Sequence, residues 1–147
     1  MKSIAIAAAL GLATTAFAAQ AQVKPEDHIK QRQSAYAVMG FNFANLNAMA
    51  TDKKPYNREE AQRSAQLVAA LADYPQGHFG EGTDKGRDTK AKPEIWQKRS
   101  DFDDKMKNMI AEAKKLPQAA GDAAALKKQV ADTGKACKAC HDDYRNK

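Results

Sequence analysis

Cys137-Lys138-Ala139-Cys140-His141 ends six residues short of the C-terminus, and its spacing governs how the rest of the chain is read. C-x-x-C-H is the attachment pattern of a c-type haem: two thiols add to the porphyrin vinyl groups and the adjacent imidazole ligates the iron. On a helix, Cys137 and Cys140 stand three apart and His141 four after Cys137, so all three can address one macrocycle. Other readings of the motif fit the chain less well. A thioredoxin-like pair belongs beside a βαβ pattern, and nothing here reads as strand. A zinc site needs two more ligands, and only His28 and His78 remain, each alone in sequence.

Covalent haem is attached to exported chains, so the N-terminus bears on the motif. Met1-Lys2 is a short positive region, Ile4 to Phe17 is apolar and small, and small-x-small sites follow at Ala16-Phe17-Ala18 and Ala19-Gln20-Ala21. We read residues 1–21 as a signal peptide cleaved after Ala21, with residues 22–147 as one soluble domain; in a bacterium it would lie in the periplasm. The apolar run is short and Ala-rich for a membrane span, and no later stretch is apolar enough for one. Loss of Lys2 with that segment lowers the formal charge from +6 to +5. The remaining lysines are scattered among acids without interleaved aromatics, which describes a solvated basic surface and excludes a nucleic-acid groove. Such a surface admits an acidic redox partner protein.

Upstream of the motif, the apolar period describes four helical stretches, hence an all-α antiparallel four-helix bundle. The first runs from Pro25, with Glu26 and Asp27 in its opening turn, to about Met49. Its stripe is Ile29, Arg32, Tyr36, Met39, Phe43, Leu46 and Ala50. Arg32 on that stripe is expensive unless an anion meets it, as haem propionates would, and without one it would be under-paired. The second opens at Asn57 with Glu60 as a capping arrangement, turns Ala61, Ala65, Val68, Leu71 and Ala72 inward, and stops at Tyr74-Pro75. Residues 75–92 form a long, glycine-rich connection in which Phe79 is the inward anchor and His78 an exposed loop residue rather than a second iron ligand. The third begins at Pro93-Glu94, follows Ile95, Arg99, Phe102, Met106, Met109, Ala113 and Leu116, and is bent or ended by Pro117; Trp96 flanks it as core or haem edge. Asp122 then caps a fourth, with Leu126, Val130, Thr133, Cys137, Cys140 and Tyr144 on one seam facing the core.

This layout resembles the class II c-type cytochromes, and within them the cytochrome c prime family. Lys24-Pro25-Glu26-Asp27, Arg32-Gln33-Ser34-Ala35 with Met39, Pro55-Tyr56, Phe79-Gly80, Gly82-Thr83, Lys92-Pro93-Glu94-Ile95-Trp96 and Thr133-Gly134-Lys135 through Arg145 carry the likeness across the mature chain. By that resemblance His141 is the proximal ligand of a single haem c held by Cys137 and Cys140, and the iron is five-coordinate with its other face open. Arg32 and Gln33 match positions near the propionates, and Arg145 a basic residue beside the proximal imidazole, where a last-turn Arg equally complements the helix terminus. Tyr36 falls at the position shielding the open face, often aliphatic in the family. Its ring would gate access, and its hydroxyl could donate to a bound ligand or swing away. The first helix forms the dimer contact in the family, implying a homodimer.

Two functions compete. A five-coordinate haem behind a bulky gate binds small gases, chiefly NO and CO, and can pass one electron. A low-spin electron carrier would instead use Met39, one turn after Tyr36, as a sixth ligand, although core packing describes Met39 better. No base, nucleophile or second metal is arranged for turnover, so we read the chain as no enzyme.

Overall fold

Side-chain caps start two of the helices. The computed structural model describes residues 23–147; the expected signal peptide, residues 1–21, lies outside them. Asn57 Oδ1 accepts from the Glu60 amide at 2.9 Å and Asp122 Oδ1 from Ala125 at 2.8 Å, as their types and spacing predict. The helices are α1 (Pro25–Ala50), α2 (Arg58–Leu71), α3 (Glu94–Gln97), α4 (Arg99–Ala119) and α5 (Ala123–Tyr144), with a 3-10 helix over Tyr74–His78. Pro25 opens α1 at a position that needs no amide donor, and Asp52, at φ 58°, turns the chain out of it.

The long helices α1, α2, α4 and α5 pack in that order around one core, each against two neighbours. Tight turns close one end, where the Tyr56 hydroxyl donates to Ala120 O at 2.8 Å and Lys127 reaches Asp52. At the other end the long connection crosses the bundle and meets the chain's tail. Lys92 N donates to Tyr144 O at 3.0 Å, Asn146 N to Lys90 O at 2.8 Å, and Ala91 bridges to Arg145. Phe102, Ile29, Leu46, Ile95, Met106, Leu116 and Leu126 are among the fully buried side chains. Burying each such apolar group stabilises the fold by about 1.5–3 kcal/mol. Among the described residues, no helix is long and apolar enough to cross a membrane.

Several details differ from the sequence reading. The buried face of α1 carries Ala35, Asn42 and Met49, while Tyr36 and Phe43 are only half-buried. Both rings stand one residue off the core line, on the flank towards α5; Gly134 of α5 faces the Phe43 ring. Likewise Ala136 takes the core position on α5, and Cys137 and Cys140 lie half-buried beside it. The third helix breaks at Lys98 (φ −117°, ψ 48°), leaving Arg99 exposed at the start of α4 rather than on the seam. There it pairs with Asp103 and donates to Phe79 O at 2.6 Å. Pro117 does not end α4, which continues two residues past it to Ala119 with Ala120 as its C-cap.

Candidate functional site

The sequence-predicted residues gather at the end where connection and tail meet. α5 presents Cys137 and Cys140 as free thiols three apart, half-buried against the core. Burial raises the Cys137 thiol, and burial followed by Cys137 itself pushes Cys140 up to about 11, so both stay protonated at neutral pH. His141 stands on the exposed side of α5. Desolvation of its ring and then Arg145 lower its pKa against a smaller opposing effect of Asp142, which leaves a free nitrogen lone pair at pH 7. Arg145 is the C-cap of α5, and its amide donates to His141 O at 3.2 Å.

Across from the thiols stands α1. Tyr36 donates from its hydroxyl to Met106 Sδ on α4 at 3.7 Å, a weak acceptor for a phenol that is largely withdrawn from water. Its pKa is raised, first by burial and then by Cys140 and Cys137, and the ring packs against the same core cluster as those two thiols. Met39, one turn on, is buried in the core cluster.

Arg32 is 2% exposed, and every acceptor it meets is neutral. Nη1 donates to His78 O at 2.8 Å and Thr83 Oγ1 at 3.1 Å; Nη2 donates to Thr83 O at 2.9 Å and Thr89 Oγ1 at 3.2 Å. The guanidinium also lies 4.5 Å from the centroid of the Phe79 ring, and burial lowers its pKa. The expectation that Arg32 would be under-paired is therefore corrected: the long connection folds back and supplies dipoles. Gln33 grips the same connection, donating to Asp88 O at 2.8 Å and accepting from Arg87 Nε at 3.1 Å. Phe79 is the inward anchor predicted for it, edge-on to Phe102 at 4.9 Å. Trp96 is half-buried and donates to Gly80 O at 2.8 Å.

His78 is not an exposed loop residue. It is half-buried, with its Nδ1 2.9 Å from Nδ1 of His28. Sequence reasoning missed that pair, and it missed Thr89 and the His78 carbonyl as Arg32 acceptors. No periodicity links residues about fifty positions apart; only Gly82-Thr83 had been marked, through the resemblance.

A covalent haem fits these residues on three observations. Two free thiols and an imidazole carrying a lone pair share one stretch of helix, which is the donor set the group requires. Tyr36, Trp96, Cys137 and Cys140 are apolar groups left half-exposed against the core. Arg32 is a buried cation without a carboxylate partner among the described residues, the charge that a propionate would complement.

Comparison with known proteins agrees. The sequence profile of the family described as Cytochrome C' matches residues 27–145. A cytochrome c' of Rubrivivax gelatinosus is 40% identical over 126 residues, covering 84% of this chain and 98% of that protein. The crystal structure of cytochrome c' from the same organism superposes with a TM-score of 0.81 at 39% identity, over 84% of this chain and 98% of that one. A nitric oxide complex of a cytochrome c prime variant from Alcaligenes xylosoxidans superposes with a TM-score of 0.77 at 35% identity, over 86% and 98%.

Proposed function

Because the chain belongs to the cytochrome c prime family and is a haem protein rather than an enzyme, we propose that it is an exported binder of small neutral gases, chiefly NO and CO, able to pass one electron. Haem c, bound covalently through Cys137 and Cys140, supplies when present an iron with one open face and a one-electron couple. The observation that carries the reading is Tyr36, which packs against the same core cluster as Cys137 and Cys140 with its hydroxyl on the Met106 thioether.

Each residue has a part. His141 would hold the iron, its imidazole kept neutral by desolvation first and then by the charge of Arg145, which caps the same helix end. Arg32 and Gln33 fix the long connection, and Arg32 would complement a propionate. Phe79 stacks beneath Arg32 and shields the guanidinium from water. Tyr36 would gate the iron's open face by bulk. With its hydroxyl on Met106, it would offer an incoming gas a hydrocarbon ring rather than a proton donor.

The nitric oxide complex of the Alcaligenes relative supports NO as ligand. The alternative, Met39 as sixth ligand of an electron carrier, has less support, since Met39 is packed in the core cluster. The signal pattern over residues 1–21, with 22–147 as the mature domain, supports export to the periplasm. Phe41, 79% exposed, and Val38 form an apolar strip on the outer face of α1, which supports a homodimer through that helix. A redox partner would meet the scattered basic surface.

Optical spectra of the reduced holoprotein before and after CO test the reading. A broad five-coordinate spectrum that shifts with CO is expected. A sharp low-spin spectrum indifferent to CO would replace the proposal with the Met39-ligated carrier.

A further inference from the structure

Two imidazoles have no part in the function above. The chain has three histidines, and the haem motif claims His141. His28 lies in the opening turn of α1 and His78 closes the 3-10 helix. Their Nδ1 atoms are 2.9 Å apart, with ring centroids at 5.2 Å and planes tilted by 49°. Tyr74 packs against His78, ring centroids 4.7 Å apart, and is itself fixed by a 2.8 Å hydrogen bond from its hydroxyl to Gln31 Oε1. Both histidines are half-buried, so each keeps a solvent-facing side.

We propose that His28 and His78 form a chelating site for one divalent transition-metal ion of the copper or zinc type, with the two Nδ1 atoms as protein ligands and water completing the sphere. Imidazole nitrogen suits these ions, and among them Cu2+ binds such donors most tightly. Metal–nitrogen bonds of about 2.0–2.1 Å set at right angles separate the two nitrogens by about 2.9 Å, and a tetrahedral angle separates them by about 3.3 Å. The spacing in the fold is therefore already that of a chelate. The rings now face each other along the nitrogen–nitrogen line, and they need only turn about their Cβ–Cγ bonds to aim both lone pairs at a point beside it. The protons balance. In the neutral pair one ring carries its hydrogen on Nδ1 and donates it to the other; on metal binding that hydrogen moves to Nε2, and none is released.

The elements that hold the pair also give the ion a consequence. His78 O is the acceptor of Arg32 Nη1, so an ion tying the 3-10 helix to α1 steadies the carbonyl on which the buried guanidinium rests. Arg32 sits close enough to oppose a second positive charge, which sets the affinity below that of a dedicated metal cage.

The test titrates the haem-loaded protein, in which His141 is engaged, with Cu2+ and with Zn2+ at neutral pH, following heat and the Cu2+ paramagnetic resonance. One equivalent is expected, with Cu2+ the tighter and with couplings from two imidazole nitrogens. His28→Gln and His78→Gln should each weaken binding by at least about tenfold while the haem spectrum and its response to CO stay unchanged. Either variant alone reads the site, so a misfolded partner variant does not remove the test. Absence of binding, a single-imidazole signature, or affinity unchanged in a folded His78→Gln protein overturns the proposal.

Discussion

Replacing Arg32 by Met keeps the unbranched stem on Phe79 and deletes a guanidinium that serves four acceptors. Two of these are threonine hydroxyls free to turn elsewhere, and Thr83 Oγ1 already donates to Gly80 O at 2.8 Å. The carbonyls of His78 and Thr83 have no such freedom, and losing a hydrogen bond from a charged donor costs about 1.5–3 kcal/mol each. Against this stands relief of a standing penalty, since burial already disfavours the charged side chain. The net loss is about 2–3 kcal/mol. For a domain with a urea m value of about 2 kcal/mol per M, the unfolding midpoint then falls by about 1–1.5 M. The assay is urea unfolding of the haem-loaded protein followed by far-ultraviolet dichroism, with m unchanged between variants. Arg32→Lys should recover only part of the loss, because one ammonium cannot span both carbonyls with the geometry of the fork. A midpoint for Arg32→Met within about 0.3 M of the parent would refute the assignment of this guanidinium as the clamp of the long connection.

Other outcomes follow from the same structure. Cys137→Ser and Cys140→Ser should each leave one thioether, seen as a red-shifted pyridine haemochrome, and the double variant should lose its haem in acidified acetone; retained colour would refute the attachment. Asn57→Ala removes the cap on the Glu60 amide and should cost about 1 kcal/mol in urea unfolding, with Asn57→Gly milder. Asp101 accepts from the Tyr144 hydroxyl, and that bond first, with Lys105 adding, holds its carboxyl below the usual range. Such a group stabilises the fold above its unfolded pKa near 3.8, and the contribution disappears as pH falls through the lower folded value. Tyr144→Phe should therefore flatten the acid limb of the stability profile below about pH 4 while leaving its neutral portion parallel to the parent. An unchanged acid limb would show the contact to be energetically silent.

The legible parts of the chain were those governed by neighbours in sequence. Caps at Asn57 and Asp122, the proline start of α1 and the helical spacing of the attachment motif are local, and they appear as read. Phase within a helix was less legible. Tyr36 and Phe43 extend the α1 stripe in sequence as well as Ala35 and Asn42 do, and only the place of α5 decides which set faces inward. Arg99 left the seam because the backbone breaks at Lys98, a residue with no breaking tendency of its own. The acceptors of Arg32 and the meeting of His28 with His78 depend on how the connection folds back, which no pattern of apolar residues encodes. Phe79 was the exception, a lone large apolar residue among glycines with one place to go.

The stitching of residues 90–92 to residues 144–146 bears on a problem that every terminal helix faces. The last turn of a helix at a chain end normally frays, opening and closing with almost no free-energy cost. Here the groups with the strictest positional demands lie in the last turns of α5, where fraying would scatter them. Lys92 N on Tyr144 O and Asn146 N on Lys90 O tie that end of α5 to the long connection through a β-bridge. Amide exchange at Lys92 and Asn146 should accordingly be slower than at an unbridged helix end, so that the proposed iron ligand His141 is borne on tethered backbone.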